Sequence, residues 1–582
     1  MKKNFVKSRW LFTMLLFVTT MIMPTMMLAK SITPTPPKGE GTVENPYQIS
    51  NTDELYWFVG QVNRGGNASA NAILTDNITV NTGVLDENKN LASKGDLTEW
   101  EPIGTSDVPY TGTFDGKGYT ISGLYFNNPS ESNVGLFGYI EANGKISNVG
   151  VLDSYFKFDM LGGGVCGTNN GGELQNCSNS STVIGIRIAG GVCGTTYSGG
   201  TIKNCKNTGY VKGTSGFAGG VCGYNSGTSI INCFNEGTVE GEGCVGGVCG
   251  INQEGTIKSC YNTGSVHGPD NFAGGVCGIN QNVTNYCYYL SGTATCGIGN
   301  QKDEKDKAEI MYKKQFESGE VAWLLNGKGL GEQVWGQHLG IDQSPVLGSD
   351  YKVIKAAQGD KDANGNYTYW ATFSNQTNDA TLSVPSESGR TLNVYNATVS
   401  GGKMTLTQRS DDQVAKEEGV LLKTDGEYVN AKAKETNGLT AASSDENHLV
   451  ATPAEAQTIT ATGYILYRLT YKNDTNKEGL GFYLGVDKAN NSYNGTRLKA
   501  TPGKAYLQVS ENEAKDPSSA ALTRSFVFGS GSETTGIDEI TIMGTDVQRH
   551  GTIEGIFDLQ GRKISNPTKG IYIKNNKKVI IK

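Results

Sequence analysis

Five times between Gly163 and Gly278 the chain returns to the phrase Gly-Gly-Val-Cys-Gly, followed after ten to twelve residues by a second Cys. The valines of the phrase, Val165, Val192, Val221, Val248 and Val276, stand 27, 29, 27 and 28 residues apart. A sustained period of this length marks stacked-repeat architectures, in which each repeat buries its apolar face only against its neighbours. Each repeat holds about three strand-sized pieces, such as AGGVCGYN, TSIINCFN and GTVEG, separated by Gly or Asn. That predicts a β-helix whose coils stack about 4.8 Å apart, so that backbone groups pair with the coils on either side. Strand alternation sends Val221 and Cys222 to opposite faces, which admits only one of the two to the centre.

Composition agrees with turns and short strands over helices. Gly accounts for 79 of 582 residues, well above the usual share of about 7%. Only 18% of residues are charged and the net charge is -7. No basic stripe is present, which excludes a nucleic-acid partner. At the N-terminus Lys2, Lys3, Lys7 and Arg9 precede an apolar run over 10–28, with Pro24 and then Ala29 closing it. This is the layout of a cleaved signal peptide over 1–29, with a membrane anchor as its alternative. Nothing downstream is apolar for long enough to span a membrane.

A Pro-rich linker over 30–40 leads to an N-terminal cap and entry coils over 41–162. There Asn51 or Thr52 caps a helix carrying Leu55, Phe58, Val59 and Val62 on one face. The Cys-containing repeats occupy 163–300. A charged and then amphipathic stretch over 301–350 predicts one or two short helices closing the last coil, followed by an extended tail. Over 351–532 the period is two, in phrases such as TLNVYNATV and GVLLKT, which predicts an antiparallel β-sandwich. The remainder, 533–582, reads as a linker and a small β unit with a basic end. The fold class expected is all-β: a β-solenoid with short capping helices, a sandwich and a small C-terminal β unit.

The phrase GGVCGxN, followed by G, I, N, C and then GxV, resembles the GLUG repeat of bacterial surface proteins, with Cys where that repeat usually carries aliphatic residues. ENPYQISNTDELYWFV, YTGTFDGKGYTISGLY, VAWLLNG and VWGQ are similar to the flanks of such proteins. GIFDLQGRKISNPTKGIYIKNNKKVIIK resembles the C-terminal sorting segment of the type IX secretion route of Bacteroidetes. The resemblance implies a right-handed β-solenoid exported to the cell surface, with the secretion machinery as a partner at the C-terminus. It implies no defined activity.

All twelve cysteines lie between Cys166 and Cys296. Ten come as two per repeat: Cys166 and Cys177, Cys193 and Cys205, Cys222 and Cys233, Cys249 and Cys260, Cys277 and Cys287. Zinc sites cluster their ligands two to four residues apart, so no metal is expected. Two ladders of packing thiols, or disulfides between neighbouring coils, both fit this spacing. Cys244 and Cys296 fall outside the pattern. Asn207, Asn235 and Asn262, each two residues after the second Cys, predict a hydrogen-bonded ladder at a bend. Asp360, Asp362, Asn364 and Gly365 open like a calcium loop, but Ala371 stands where the bidentate Glu belongs, so a turn is expected.

No catalytic constellation is legible. His267, His338, His448 and His550 are scattered, and Glu173, Glu236, Glu240, Glu242 and Glu254 sit at non-equivalent places of the repeats, as solvated residues do. No cofactor is expected. Phe234, Tyr261 and Tyr288 follow the second Cys of successive repeats and are the candidate ligand-facing row, suited to sugar rings, with an edge-packing stripe as the alternative. The function expected is a non-enzymatic, adhesin-like surface protein presenting the solenoid to glycans or host proteins. Two alternatives stand beside it: a carbohydrate-active β-helix enzyme, and a structural stalk displaying the sandwich.

Overall fold

The computed structural model describes residues 32–92, 95–301, 308–328, 333–362, 364–385, 390–434, 437–471, 480–485, 495–515, 517 and 525–527, with the strand backbones at 537–540, 556–557, 563–564, 570–574 and 577–581. The signal segment lies outside the described residues. The chain divides into two compact units, 1–316 and 317–582.

The first unit is a β-solenoid built from five parallel sheets, two of them nine strands deep. One complete turn runs Cys222–Asn225, Ser229–Ile231, Phe234–Asn235, Val239–Gly241 and Val245–Gly246. Five short strands per turn therefore replace the three expected from the sequence. The extra corners come from residues that leave the strand conformation without a glycine. Asn148, Asn176, Asn204, Asn232, Ser259 and Tyr286, at equivalent places of successive turns, all hold φ between 52° and 53° except Asn204 at 55°. Asn adopts this left-handed geometry more readily than other residues with a side chain, and Asn occupies four of the six places.

The GGVC phrase makes a second kind of corner. Val221 lies in a bend, and the carbonyl of Val248 accepts from both Val221 N (2.9 Å) and Cys222 N (3.0 Å). This interrupts alternation, so Val221 and Cys222 are both fully buried, contrary to the one-in, one-out expectation. The second glycine of the phrase is needed for close approach. A Cβ on Gly220 would stand 2.1 Å from the Gly247 carbonyl oxygen and 2.3 Å from Asn235 Cγ.

A helix, α1 (Thr52–Asn63), covers the start of the stack and buries Leu55, Phe58, Val59 and Val62. Asn51 is its N-cap, its Oδ1 accepting from Glu54 N at 3.0 Å. At the other end comes α2 (Lys313–Glu317), whose Phe316 is buried.

The second unit begins with α3 (Glu320–Leu325). The segment expected to trail as an extended tail is instead folded: Trp335–Gly336 pairs antiparallel with Val346–Leu347, and Asn326 Nδ2 donates to the Trp335 carbonyl at 2.7 Å. The antiparallel sandwich has a six-stranded sheet at its centre, containing Tyr367–Ser374, Gly419–Thr424 and Leu392–Ser400. Apolar side chains leave both of its faces. Ala371, Phe373 and Leu422 pack with Val429 and Leu382 of a four-stranded sheet, while Trp370, Leu421 and Ala397 pack with Tyr467, Phe482 and Leu507 of a five-stranded one. The TTGIDEI stretch, read as a linker, contributes strand Ile537–Ile540 to the edge of the central sheet, against Lys403–Gln408. A four-stranded antiparallel sheet over 556–581 ends the chain.

Candidate functional site

Stacking accounts for each repeated residue of the solenoid. Cys166, Cys193, Cys222, Cys249 and Cys277 stand in register on successive strands of one sheet, all fully buried. Cys177, Cys205, Cys233, Cys260 and Cys287 form a second buried column, in which Cys205 N donates to Cys233 Sγ and Cys233 N to Cys260 Sγ, both at 3.4 Å. All twelve are free thiols here, Cys244 and Cys296 included. Burial pushes the thiols of Cys193, Cys233, Cys249 and Cys287 upward, and that of Cys244 up to about 11. At Cys205 and Cys260 burial is outweighed by hydrogen bonds from the neighbouring cysteines of the column, which draw these two downward. The thiols held protonated are poor nucleophiles and metal ligands. Among the described residues no group of His, Cys, Asp or Glu is placed to hold a metal.

Asn207, Asn235 and Asn262 are fully buried and linked in a chain that begins one turn earlier at Asn179. Each Nδ2 donates to the Oδ1 of the next, at 2.8, 2.8 and 2.7 Å. A second buried ladder, Asn225 to Asn252 to Asn280, at 2.8 and 2.7 Å, was not singled out in the sequence. Its signal was there, in the N of GYN, GIN and GIN that closes each GGVCG phrase.

The candidate ligand-facing row is not at the surface. Phe234, Tyr261 and Tyr288 are 7%, 0% and 2% exposed. Phe234 stacks on Tyr261 with centroids 4.9 Å apart, and Phe316 of α2 meets Tyr261 edge-on at 5.7 Å. The capping helix thus occupies the face that a sugar would need, and the row is corrected to a packing stripe. Glu236, Glu242 and Glu254 are exposed, while Glu240 accepts from Tyr210 Oη at 2.6 Å and faces Lys212 Nζ at 3.4 Å. The Asp360 loop is a hairpin turn in which Asp362 Oδ1 accepts from Asn364 N (2.9 Å) and Asn366 N (2.8 Å). Of the histidines, His338 stacks on Tyr351 and His448 Nδ1 accepts from Val399 N at 3.0 Å. His267 is exposed, and His550 lies outside the described residues.

A cationic cleft stands in the second unit. Of about 390 Å³, it is lined by Lys328, Lys355, Arg468, Lys499 and Lys504 and, among the described residues, by no acidic one. Its apolar wall is made by Trp370, Leu469, Leu480, Leu498 and Tyr506. Arg468 comes from strand Tyr464–Tyr471, and its Nε is buried with no hydrogen-bond partner among the described residues. Lys504 precedes strand Ala505–Ser510 and is partly buried; desolvation pulls its ammonium down to about 8. Lys355 Nζ lies 4.6 Å above the Trp323 ring. The sequence missed this cleft because its residues are drawn from seven separated stretches with no shared spacing.

Residues 218–240 and 241–266 match the family model described as the GLUG motif. The chain carries GLUG motifs. Over 151 residues, 25% of its length, it is 31% identical to a protein named Halomucin from Haloquadratum walsbyi, matching 2% of that protein. Over 143 residues, 24% of its length, it is 32% identical to a "Putative Gly-rich membrane protein" of Evansella cellulosilytica, matching 15% of it. The chain therefore spans only a small part of these curated relatives. Among solved structures it resembles a "putative immunoglobulin A1 protease" from Bacteroides ovatus, at 20% identity and TM-score 0.39, over 53% of this chain and 94% of that one. It also resembles one named IgA1 Protease, at 18% identity and TM-score 0.31, over 45% and 21%. Both names are of proteases, and the expectation of a non-enzymatic protein is withdrawn on that finding. TM-scores below 0.5 equally assign no activity to this chain. Among the described residues no helix is long and apolar enough to cross a membrane.

Proposed function

We propose that this is an exported cell-surface protein in which the GLUG solenoid is a scaffold and the second unit binds the ligand, a glycan or a host protein. One observation carries the reading. The solenoid's recurrent Gly, Val, Cys, Asn and aromatic residues are consumed by coil-to-coil packing, whereas the cleft of the second unit is lined by five cationic residues with no acidic residue among the described ones. Buried polar groups left without partners in a concave site are those a ligand satisfies. The surface assignment is supported by the relatives' names and by the layout of residues 1–29. The secretion machinery is the partner proposed for the last residues.

Two measurements test it. Deleting residues 555–582 is expected to hold the protein inside the cell envelope, read by protease shaving of intact cells; unaltered surface display contradicts export through that segment. On an array of glycans and matrix proteins, binding by the full chain is expected to fall when Arg468 and Lys504 are both replaced by Gln. Undiminished binding places the ligand elsewhere.

A further inference from the structure

The lining of the cleft specifies more than a place to bind. Five cationic residues line one concavity, with no carboxylate among its described lining residues. In an empty site their mutual repulsion opposes folding, and a bound anion reverses the sign of that term. Lys328, Lys355 and Lys499 line the cleft with Arg468 and Lys504, the Lys355 ammonium resting over the Trp323 and Tyr428 rings. Tyr506 is the remaining titratable group of the described lining, and burial raises the pKa of that phenol, so it stays neutral. A guanidinium and an ammonium lining one cleft suit a carboxylate or sulfate group, the first through its planar fork and the second as a point charge.

The cleft's size and walls describe the rest of the ligand. At about 390 Å³ it falls in the range of sites for small organic molecules. Trp370 and Tyr506 line the cleft but are only 5% and 6% exposed, so they serve as packed walls. Thr470 and Thr501, half-buried in the lining, supply hydroxyl-bearing side chains that complement the hydroxyls of a sugar. We propose that the cleft binds an acidic saccharide, its carboxylate or sulfate ester held by Arg468 and Lys504 and its hydroxyls meeting Thr470 and Thr501. This rests on the reading of the second unit as the binding unit and narrows its ligand.

Burial lowers Lys504 to about 8, so the free protein loses this charge as pH rises through that value. A bound anion favours the ammonium and raises its pKa. Binding at pH 8.5 is therefore accompanied by proton uptake, and affinity declines between pH 7 and 9.5.

The test is calorimetry on the full chain with glucuronate, a 6-sulfated glucosamine, glucose, inorganic sulfate and a poly-glutamate peptide. Binding of either acidic sugar is expected, with uptake of protons at pH 8.5 in buffers of different ionisation enthalpy. Arg468→Gln and Lys504→Gln are each expected to weaken it at least tenfold, Arg468→Lys by less, and Lys416→Gln, which alters an exposed ion pair with Glu417, not at all. Should the buried replacements unfold the protein, Lys499→Gln at an exposed position is expected to weaken binding about threefold. Glucose binding as tightly as glucuronate overturns the anionic part of the proposal. Sulfate or the peptide binding as tightly as the sugars overturns the saccharide part. Absence of binding by both acidic sugars overturns the whole, while array binding lost on cleft mutation would still leave the second unit as the binding unit.

Discussion

The most constrained single positions lie at the corners between strands, where one side chain must satisfy both the backbone and the next coil. Asn235 is such a residue: its Oδ1 accepts from Asn207 Nδ2, and its Nδ2 donates to Asn262 Oδ1 (2.7 Å) and to the Gly237 carbonyl (2.7 Å). Asn235→Ala strands one N–H of Asn207 Nδ2, which keeps its bond to the Gly209 carbonyl, and removes the Asn235 donor from the Gly237 carbonyl, while Asn262 Oδ1 keeps Gly264 N. The cost is about 1–3 kcal/mol for each group stranded. A fall in the thermal midpoint well beyond that of an exposed-Asn control such as Asn364→Ala checks it. Tyr286 presents the opposite case. It holds φ 52° where Asn stands in earlier turns, and its ring is 42% exposed, so little packing is lost on replacement. Relief of the left-handed strain makes Tyr286→Asn stabilising by about 1 kcal/mol, measured as an upward shift in denaturant midpoint. The Asn positions were legible because they recur at the repeat's period. The left-handed corner was not, since a residue's φ leaves no mark in a single repeat and shows only when six equivalent positions are aligned in space.

Among the elements, α1 was the most readable in the solenoid unit. Its apolar face, its cap and its acidic first turn are local signals, and the four expected residues are buried. Asn51→Ala removes the bond to Glu54 N and costs about 1 kcal/mol; equilibrium unfolding of the full chain measures it, and Asn51→Ser is expected to restore most of the loss. Strand number was less readable. Two-residue strands such as Phe234–Asn235 and Val245–Gly246 are too short for alternation to register, so three pieces were visible where five exist. The aromatic row failed for a related reason. Phe234, Tyr261 and Tyr288 were correctly aligned from their spacing, but what covers them, Phe316, comes from a helix whose docking no local pattern announces. Long-range covering decides burial, and so it decides whether an aligned row is a binding surface or a packing stripe.

At the scale of the molecule, the solenoid is a sum of equivalent turns, each contacting its neighbours. Removing one whole turn should therefore preserve every register, while removing half a turn should preserve none. Deletion of 221–247 joins Gly220 to Val248 and restores the GGVC phrase. It takes one strand from each of the five sheets. The new neighbours then match as before: Cys193 meets Cys249, Thr201 meets Thr256, Asn207 meets Asn262, Val211 meets Val266 and Ala218 meets Ala273, as successive turns already pair. The thiols fall from 12 to 9, since Cys222, Cys233 and Cys244 leave (12 − 3 = 9). The shortened chain is expected to melt cooperatively at a lower midpoint, with its thiols unreactive to an alkylating reagent until denaturant is added and nine reacting afterwards. Deletion of 221–234 instead joins Gly220 to Asn235, puts a corner where a strand begins, and is expected to leave thiols reactive without denaturant. If the two deletions behave alike, the turns are not interchangeable. The fold would then depend on contacts particular to one of them, such as the stacking of Phe234 on Tyr261.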